Sequence, residues 1–571
     1  MQEQGILLRE RIRFVMIAIL IDYKLEKYTL AIEYAFDYIF ETLGLSHRFI
    51  QAPANLREHD ILLLYGLIEP TLQELQALSR EHINIFIPCD PRLYEAQGFT
   101  AEQLKKAVRE IKMFSPTPVI SEKKFDYPAE NYVELDIFAC KINFDLPGNI
   151  FFHLANREED CDPTRDANDC YPETSSIFYP WKDTPYLDNF LWLLDNLIME
   201  QAKAKGQYIV KKHYWPKAQS MAAALTHSVD DLQKWDFNSM LFSIPDDLIL
   251  CVTLRWKQLF RNLWSKLKFI LTNTEFYWNF SEIFALEREQ NLRSTWFIAA
   301  ERTPEIDYSL EDADLQDEIK NILRQGNEIG LLLTDDKLNR ETFAARKQIM
   351  LRQLQKDEIG IREHNYLANN KIRELQEKIL PLYSSALSFS QTNGYYHGLI
   401  FPFRPWVNSL GSSHWEIPVC FRDQNLKTGK FHQVSLEDAK QMLKKSLQAS
   451  QRRKGLFCPD FTVADYYDIP YLPKLYSYLL ALVKAEKAYC VTLNELIDWW
   501  NKRRRVIIDE SEFDFSLSFP DALPSFAIEY TGNLAIRQIE GAQARIEGKT
   551  VYFSDVEPNT VAVIRLGNQE E

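Results

Sequence analysis

Short apolar runs and longer periodic segments alternate along the chain. Near the N-terminus, Arg13 to Ile21, "DILLLYG" (Asp60 to Gly66) and "INIFIPC" (Ile83 to Cys89) read as buried strands. Between them, "YTLAIEYAFDYIFETLGL" and "EPTLQELQALSREH" place apolar residues at helical spacing. The first stops at Gly44-Leu45 and the second ends in charge. Residues 1–205 are therefore predicted to form a small α/β domain. Near its end, Asn156 to Ser176 carries two prolines and seven acids. The stretch lacks the glycine and terminal glutamate of an EF-hand loop, so it predicts a solvated loop.

From residue 206 to 505 short apolar strands recur: "MAAAL" (221–225), "STWFIA" (294–299), "EIGLLL" (328–333), "EIGI" (358–361), "WEIPVC" (415–420), "GLFC" (455–458) and "AYCVT" (488–492). Helical segments separate most of them, which predicts parallel pairing and a wound α/β sheet or barrel. Thr492 and Glu495 form a capping box before "LIDWW", and Lys502 to Arg505 end that helix favourably for its dipole. After residue 505 the period changes to two. "VIID", "FDFSLSF", "FAIEY", "LAIRQI", "VYFSD" and "VAVIRL", with turns at Thr531-Gly532-Asn533 and Glu547-Gly548-Lys549, predict a small antiparallel β-domain over 506–571.

Length and charge narrow the choices. A chain of 571 residues exceeds one ordinary core, which fits three regions. The net charge of −15 argues against nucleic acid, whose phosphates need a basic face. The apolar run Phe14 to Ile21 has eight residues, against the ~20 that a spanning helix needs, so no transmembrane segment is predicted. "RERIR" precedes it, but "DYKLEKY" follows with no small-residue cleavage site, so a first strand is the better reading than a signal peptide. The eight cysteines are scattered without a CxxC pair, which suits free thiols in a reducing cytoplasm. "RWKQLFRNLWSKLKFIL" (255–271) has helical apolar spacing. It is expected to pack on a core and show its lysines to water, the alternative being that its basic residues meet an anionic glycan or a membrane surface.

The chemistry-bearing stretches come in a telling order. "ALTHSVDD", "LRSTWFI", "GNEIGLLLTDD", "GIREHNYL", "GYYHGLIFPF", "HWEIPVCFRD" and "VTLNELIDWWNKR" follow one another between residues 223 and 504. In order and spacing they resemble the polysaccharide deacetylase family, with its NodB-like barrel, and most closely a bacterial branch whose barrel follows an α/β domain. Upstream, "DIFACKINFDLPGNIFFHLANREED" resembles the end of that preceding domain. The resemblance implies a distorted (β/α) barrel with its site at the C-terminal strand ends. It also implies metal-assisted removal of an acetyl group from a sugar. In that chemistry an aspartate and two histidines hold a divalent metal such as zinc, a second aspartate is the base and a late histidine the acid.

Set against that pattern, Asp230 matches the metal-binding aspartate, while Ser228 stands where the base would be and has no proton affinity near neutral pH. Leu332 replaces a metal histidine and offers no lone pair. Tyr396 replaces an arginine, and Cys458 or Pro459 the late histidine. His227 and His364 match histidines usual in this branch. With Asp230 they form the candidate metal set, to which Asp231, Asp335, Asp336 and His397 could add donors in a remodelled site. Tyr396 and His397 are candidate substrate-binding residues, and Cys458 with His397 a conceivable but disfavoured nucleophile pair. The expectation is a cytoplasmic α/β protein with a degenerate barrel and no resident cofactor. It would bind a glycan or a partner in polysaccharide assembly; the alternative is an active deacetylase with a remodelled zinc site. Asp230, Leu332 and His364 should converge at one end of the barrel.

Overall fold

The computed structural model describes residues 15–78, 82–125, 131–136, 138–166, 171–334, 339–366, 369–510 and 514–567. At the N-terminal end, five strands lie parallel in the order His47–Ile50, Ile17–Ile21, Ile61–Gly66, Ile83–Pro88, Ala139–Ile142, and Val133–Asp136 closes the edge antiparallel. The central strands are apolar on both faces because helices cover both sides. The helix Thr29–Leu43 ends at Gly44 in the left-handed region (φ 76°). A Cβ there would meet the Lys212 carbonyl at 2.4 Å, so glycine answers both the turn and the close approach.

Among its described residues, the acidic stretch is an exposed loop only over 163–166; its two ends are structured. Arg157–Cys161 is a short helix with Glu158 and Glu159 buried. Glu158 accepts from the Ile177 amide (2.7 Å) and the Ser176 hydroxyl (2.7 Å), and Glu159 from the Asn370 amide (2.9 Å). Glu173 accepts from the Ser390 and Gln391 amides at 2.6 and 3.0 Å. These acids read as solvated because composition alone favours it. Glu159 and Glu173 instead satisfy backbone N–H groups of the next region and fix the first unit to it, while Glu158 closes a contact within the first unit.

That next region is built on eight parallel strands, here β1 (Leu225–Val229), β2 (Ser294–Ala299), β3 (Glu328–Leu333), β4 (Ile361–Glu363), β5 (Tyr383–Leu387), β6 (Trp415–Pro418), β7 (Phe421–Arg422) and β8 (Pro459–Thr462). Their order is β6-β5-β4-β3-β2-β1-β8-β7. Only Val419 and Cys420 separate the two edge strands in the chain. At ~3.8 Å per residue the end of β6 and the start of β7 are at most about 11 Å apart, so the sheet curls toward itself as an open half-barrel. Buried serines and an aspartate interrupt the apolar pattern of β5 and β8, so periodicity alone does not predict these two strands. The "MAAAL" and "GLFC" runs contribute Ala222–Ala223 and Leu456–Phe457 to a separate three-stranded parallel sheet with Tyr489–Cys490.

Helices α1 (Ile244–Val252), α2 (Trp256–Thr272) and α3 (Phe280–Gln290) follow β1, and α4 (Leu472–Ala485) follows β8. The expectation that α2 packs its apolar side on a core fails: within it only Leu259 and Ser265 are buried. The final region forms two antiparallel four-stranded sheets. One of them takes Val210–Lys212 as an edge strand, paired with Leu523–Tyr530. A strand from before the barrel thus belongs to the last sheet, and one apolar core runs through all three regions. Arg503, buried, donates to the carbonyls of Glu41, Thr42, Lys212 and His213 and ties the regions together.

Candidate functional site

Strand alternation sorts the residues of β1. Thr226 and Ser228 face the barrel interior and His227 faces the surrounding helices. His227 is fully buried, 2.9 Å from the Glu287 carboxylate on α3 and 3.1 Å from the Tyr476 hydroxyl on α4. The sequence places it beside Asp230, but the two-residue period turns it to the opposite face, so His227 does not join Asp230 and His364. In β3, Glu328, Gly330 and Leu332 share one face; Glu328 accepts from Thr295 of β2 and Tyr383 of β5 inside the barrel. Leu332 is level with Ala299 and Arg362, in the same layer as Asp230, which directly follows Val229.

Where the base would stand, the barrel holds a buried ion pair that the motif pattern did not reveal. Arg362 of β4 donates to Asp460 of β8 at 2.5 Å, and both side chains are at most 2% exposed. The Asp460 carboxylate also accepts from Ser228 (2.9 Å), Thr226 (3.0 Å) and Tyr366 (2.6 Å). Arg362 completes its own set with the carbonyl and hydroxyl of Ser385, and its guanidinium lies 4.0 Å from the Phe297 ring centre. Burial raises the Asp460 carboxyl, but Arg362, Tyr366 and Arg422 outweigh it and hold the group below its ordinary value. The result is a carboxylate held in its charged form by its protein partners, which is poorly suited to accept a proton near neutral pH. An acid between Cys458 and Phe461 in an otherwise apolar strand was the available signal for Asp460.

Asp230 and His364 do come together at the C-terminal strand ends. His364 Nε2 is 3.4 Å from Asp230 Oδ2, and its Nδ1 is 3.7 Å from Glu305 Oε2. Asp230 Oδ2 accepts from Gln424 (2.8 Å), itself held by Arg422 (2.5 Å), and Asp230 Oδ1 is buried without a hydrogen-bond partner among the described residues. Both ring nitrogens of His364 thus face a carboxylate. Among the described residues no three His, Cys, Asp or Glu side chains are grouped to hold an ion. With Leu332 in the ligand layer, the described donors do not fit the three-ligand centre that the resemblance implies. Asp335 and Asp336 lie outside the described residues.

The candidate substrate residues part company. His397 is buried and faces the first unit, with Nε2 3.0 Å from Asn156 Oδ1 and its ring 5.5 Å from that of His153. Burial lowers its basicity well below that of an ordinary histidine. Tyr396 instead lines a small cleft of about 170 Å³ beside Asn365 and Tyr366, closed by Tyr171, Glu173 and Thr174 of the acidic stretch. Cys458 is fully buried and its thiol is pushed up to about 12 by burial, which leaves it inert as a nucleophile. A wider cleft of about 600 Å³ opens beyond β1 and β8. It is lined by Lys234, Trp235, Tyr277, Lys427, Tyr467 and Asp468 among others, and Lys234 and Tyr277 both bind Asp468, at 3.0 and 3.1 Å.

Residues 21–203 match a family of unknown function, DUF7033. No curated protein matches the sequence. The solved structures most similar in fold include a protein assigned as a polysaccharide deacetylase from Mycobacterium smegmatis, 15% identical, covering 50% of this chain and 92% of its own (TM-score 0.33). Another is a peptidoglycan N-acetylglucosamine deacetylase in complex with an N-hydroxybenzamide, 11% identical, covering 50% and 90% (TM-score 0.27). A third is a mutant CE4-family pseudoenzyme with restored activity, 10% identical, covering 50% and 69% (TM-score 0.26). The structural neighbours are thus polysaccharide deacetylases, at low identity and over half of this chain.

Proposed function

We propose that this is a polysaccharide-deacetylase-like barrel that has lost acetyl hydrolysis and binds a glycan or a partner protein of polysaccharide metabolism, in the cytoplasm. The observation that carries this reading is the Arg362–Asp460 pair with Ser228 donating into it. Hydrolysis needs an activated water and a base with proton affinity. Ser228 supplies no base, and every oxygen of the nearest carboxylate is already hydrogen-bonded. Binding is favoured by the 600 Å³ cleft, where the rings of Trp235, Tyr277 and Tyr467 alternate with Lys234 and Asp468. Flat apolar rings with a few placed polar groups suit the mixed faces of a sugar.

One observation favours the second reading, a remodelled metal-dependent deacetylase: the buried Asp230 Oδ1, which has no hydrogen-bond partner among the described residues and lies next to His364. Metal analysis of purified protein, with release of acetate from acetylated chito-oligosaccharides, separates the two. Sub-stoichiometric zinc and no acetate, with retention of the oligosaccharide on immobilised protein, is the expected result. Stoichiometric metal that Asp230→Ala removes together with acetate release would overturn it.

A further inference from the structure

Helix α2 is amphipathic in reverse. At ~100° per residue, Trp256, Phe260, Trp264, Leu267, Ile270 and Leu271 fall on one stripe roughly 120° wide. That stripe faces solvent: Phe260 is 67% exposed, Trp264 65% and Leu271 72%. The opposite side is anchored by polar contacts. Ser265 accepts from the Trp235 indole (3.0 Å), Asn262 donates to Asp247 of α1 (2.7 Å), and the Arg261 guanidinium lies over Tyr467 (4.1 Å). The apolar surface continues onto the preceding turn and α1 through Leu254, Leu248 and Val252, the last 81% exposed. An exposed apolar surface formed by successive helices marks an interaction site on a folded protein.

Charge selects the occupant. The α2 sequence carries Lys257, Arg261, Lys266 and Lys268 and no acid, in a chain whose net charge is −15. Lys257 and Lys268 are exposed and border the apolar stripe. Symmetric pairing with a second copy would set this basic row against itself. The combination of exposed tryptophans, bulky aliphatics and flanking lysines is that of a helix lying in the interface of an anionic bilayer. No described helix is long and apolar enough to cross a membrane, and α2 has 17 residues. We propose that α1 and α2 dock this protein on an anionic lipid surface, with α2 parallel to the membrane plane and its apolar stripe in the headgroup region. Gln258, Arg261 and Asn262, on the protein-facing side of α2, line the 600 Å³ cleft, so the same helix would hold that cleft next to the bilayer.

The test is sedimentation of the full-length protein with vesicles of phosphatidylcholine alone or mixed with an equal part of phosphatidylglycerol. Two exposed lysines, at about fivefold each, predict roughly 25-fold tighter binding to the anionic vesicles, weakened by salt. Phe260→Glu with Trp264→Glu should abolish binding to both. Lys257→Glu with Lys268→Glu should bring the anionic vesicles to the phosphatidylcholine level or below. All four positions are exposed, so circular dichroism should show native folds. Absence of vesicle binding overturns the proposal. So does unaltered binding by both variants, or a self-association that Phe260→Glu with Trp264→Glu breaks while vesicles never bind.

Discussion

Placing a carboxylate at position 228 by Ser228→Asp should destabilise the protein for a reason visible only in the folded barrel. Ser228 Oγ donates to Asp460 Oδ2 at 2.9 Å, so the new carboxylate would stand beside an ionised one. Two like charges at ~4 Å, with an effective dielectric constant of about 20, repel by about 4 kcal/mol. The new group can instead stay protonated at neutral pH, which for an aspartic acid costs ~3 pH units, again about 4 kcal/mol. Arg362 offsets part of either cost, so a loss of about 2–4 kcal/mol at pH 7 is expected. The folded pKa of the new acid is raised, so its penalty is absent below its unfolded pKa of ~4 and grows as pH rises. Urea unfolding followed by tryptophan fluorescence at about pH 5 and about pH 7 reads both the size and this sign. Adding Asp460→Asn should recover most of the loss at pH 7 relative to Asp460→Asn alone. Leu332→His should raise metal affinity only in that combination. Native stability of Ser228→Asp at pH 7, or a loss that Asp460→Asn leaves unchanged, would refute the reasoning.

Asp460→Asn alone leaves Arg362 buried without its counter-charge and should cost about 3–5 kcal/mol in chemical unfolding. Arg362→Met with Asp460→Leu should cost clearly less than the two single changes added together. Asp145 and Glu158, both nearly fully buried and both pushed up to about 7 by burial, make stability pH-dependent. Their protonated forms favour the fold, so their contribution is complete below about pH 4 and lost as pH rises through about 7. The thermal midpoint should rise on going from about pH 8 to about pH 5.5, and Glu158→Gln should flatten that slope. Gly360→Ala would put a Cβ 1.9 Å from the Tyr383 ring, which Glu328 holds in place, and should cost about 2 kcal/mol or more by the same unfolding measurement. Removing residues 506–571 should destabilise the barrel, since Val210–Lys212 would lose its sheet partner and Trp499 its neighbour Phe526; a native barrel melt after truncation would refute this.

The sequence by itself determined most strands of the first unit and of the barrel, since their apolar runs are long enough to show a period: Ile61–Gly66, Ser294–Ala299 and Glu328–Leu333 fall where the pattern puts them. It also set Ser228, Leu332 and Tyr396 where the family resemblance leads one to expect a base, a metal ligand and an arginine. Tertiary structure decided the rest, because those questions turn on partners distant in sequence. His227 and Asp230 are three residues apart, yet one faces helices and the other the strand ends. Asp460 lies 232 residues after Ser228 and shares a hydrogen bond with it. Glu159 and Glu173 sit in a stretch that resembles a solvated loop in composition, but the backbone amides that bind them belong to Asn370, Ser390 and Gln391. Periodicity reports which side chains share a face. It cannot report whether that face meets a core or water, and so the apolar stripe of α2 reads like a buried one although it points outward.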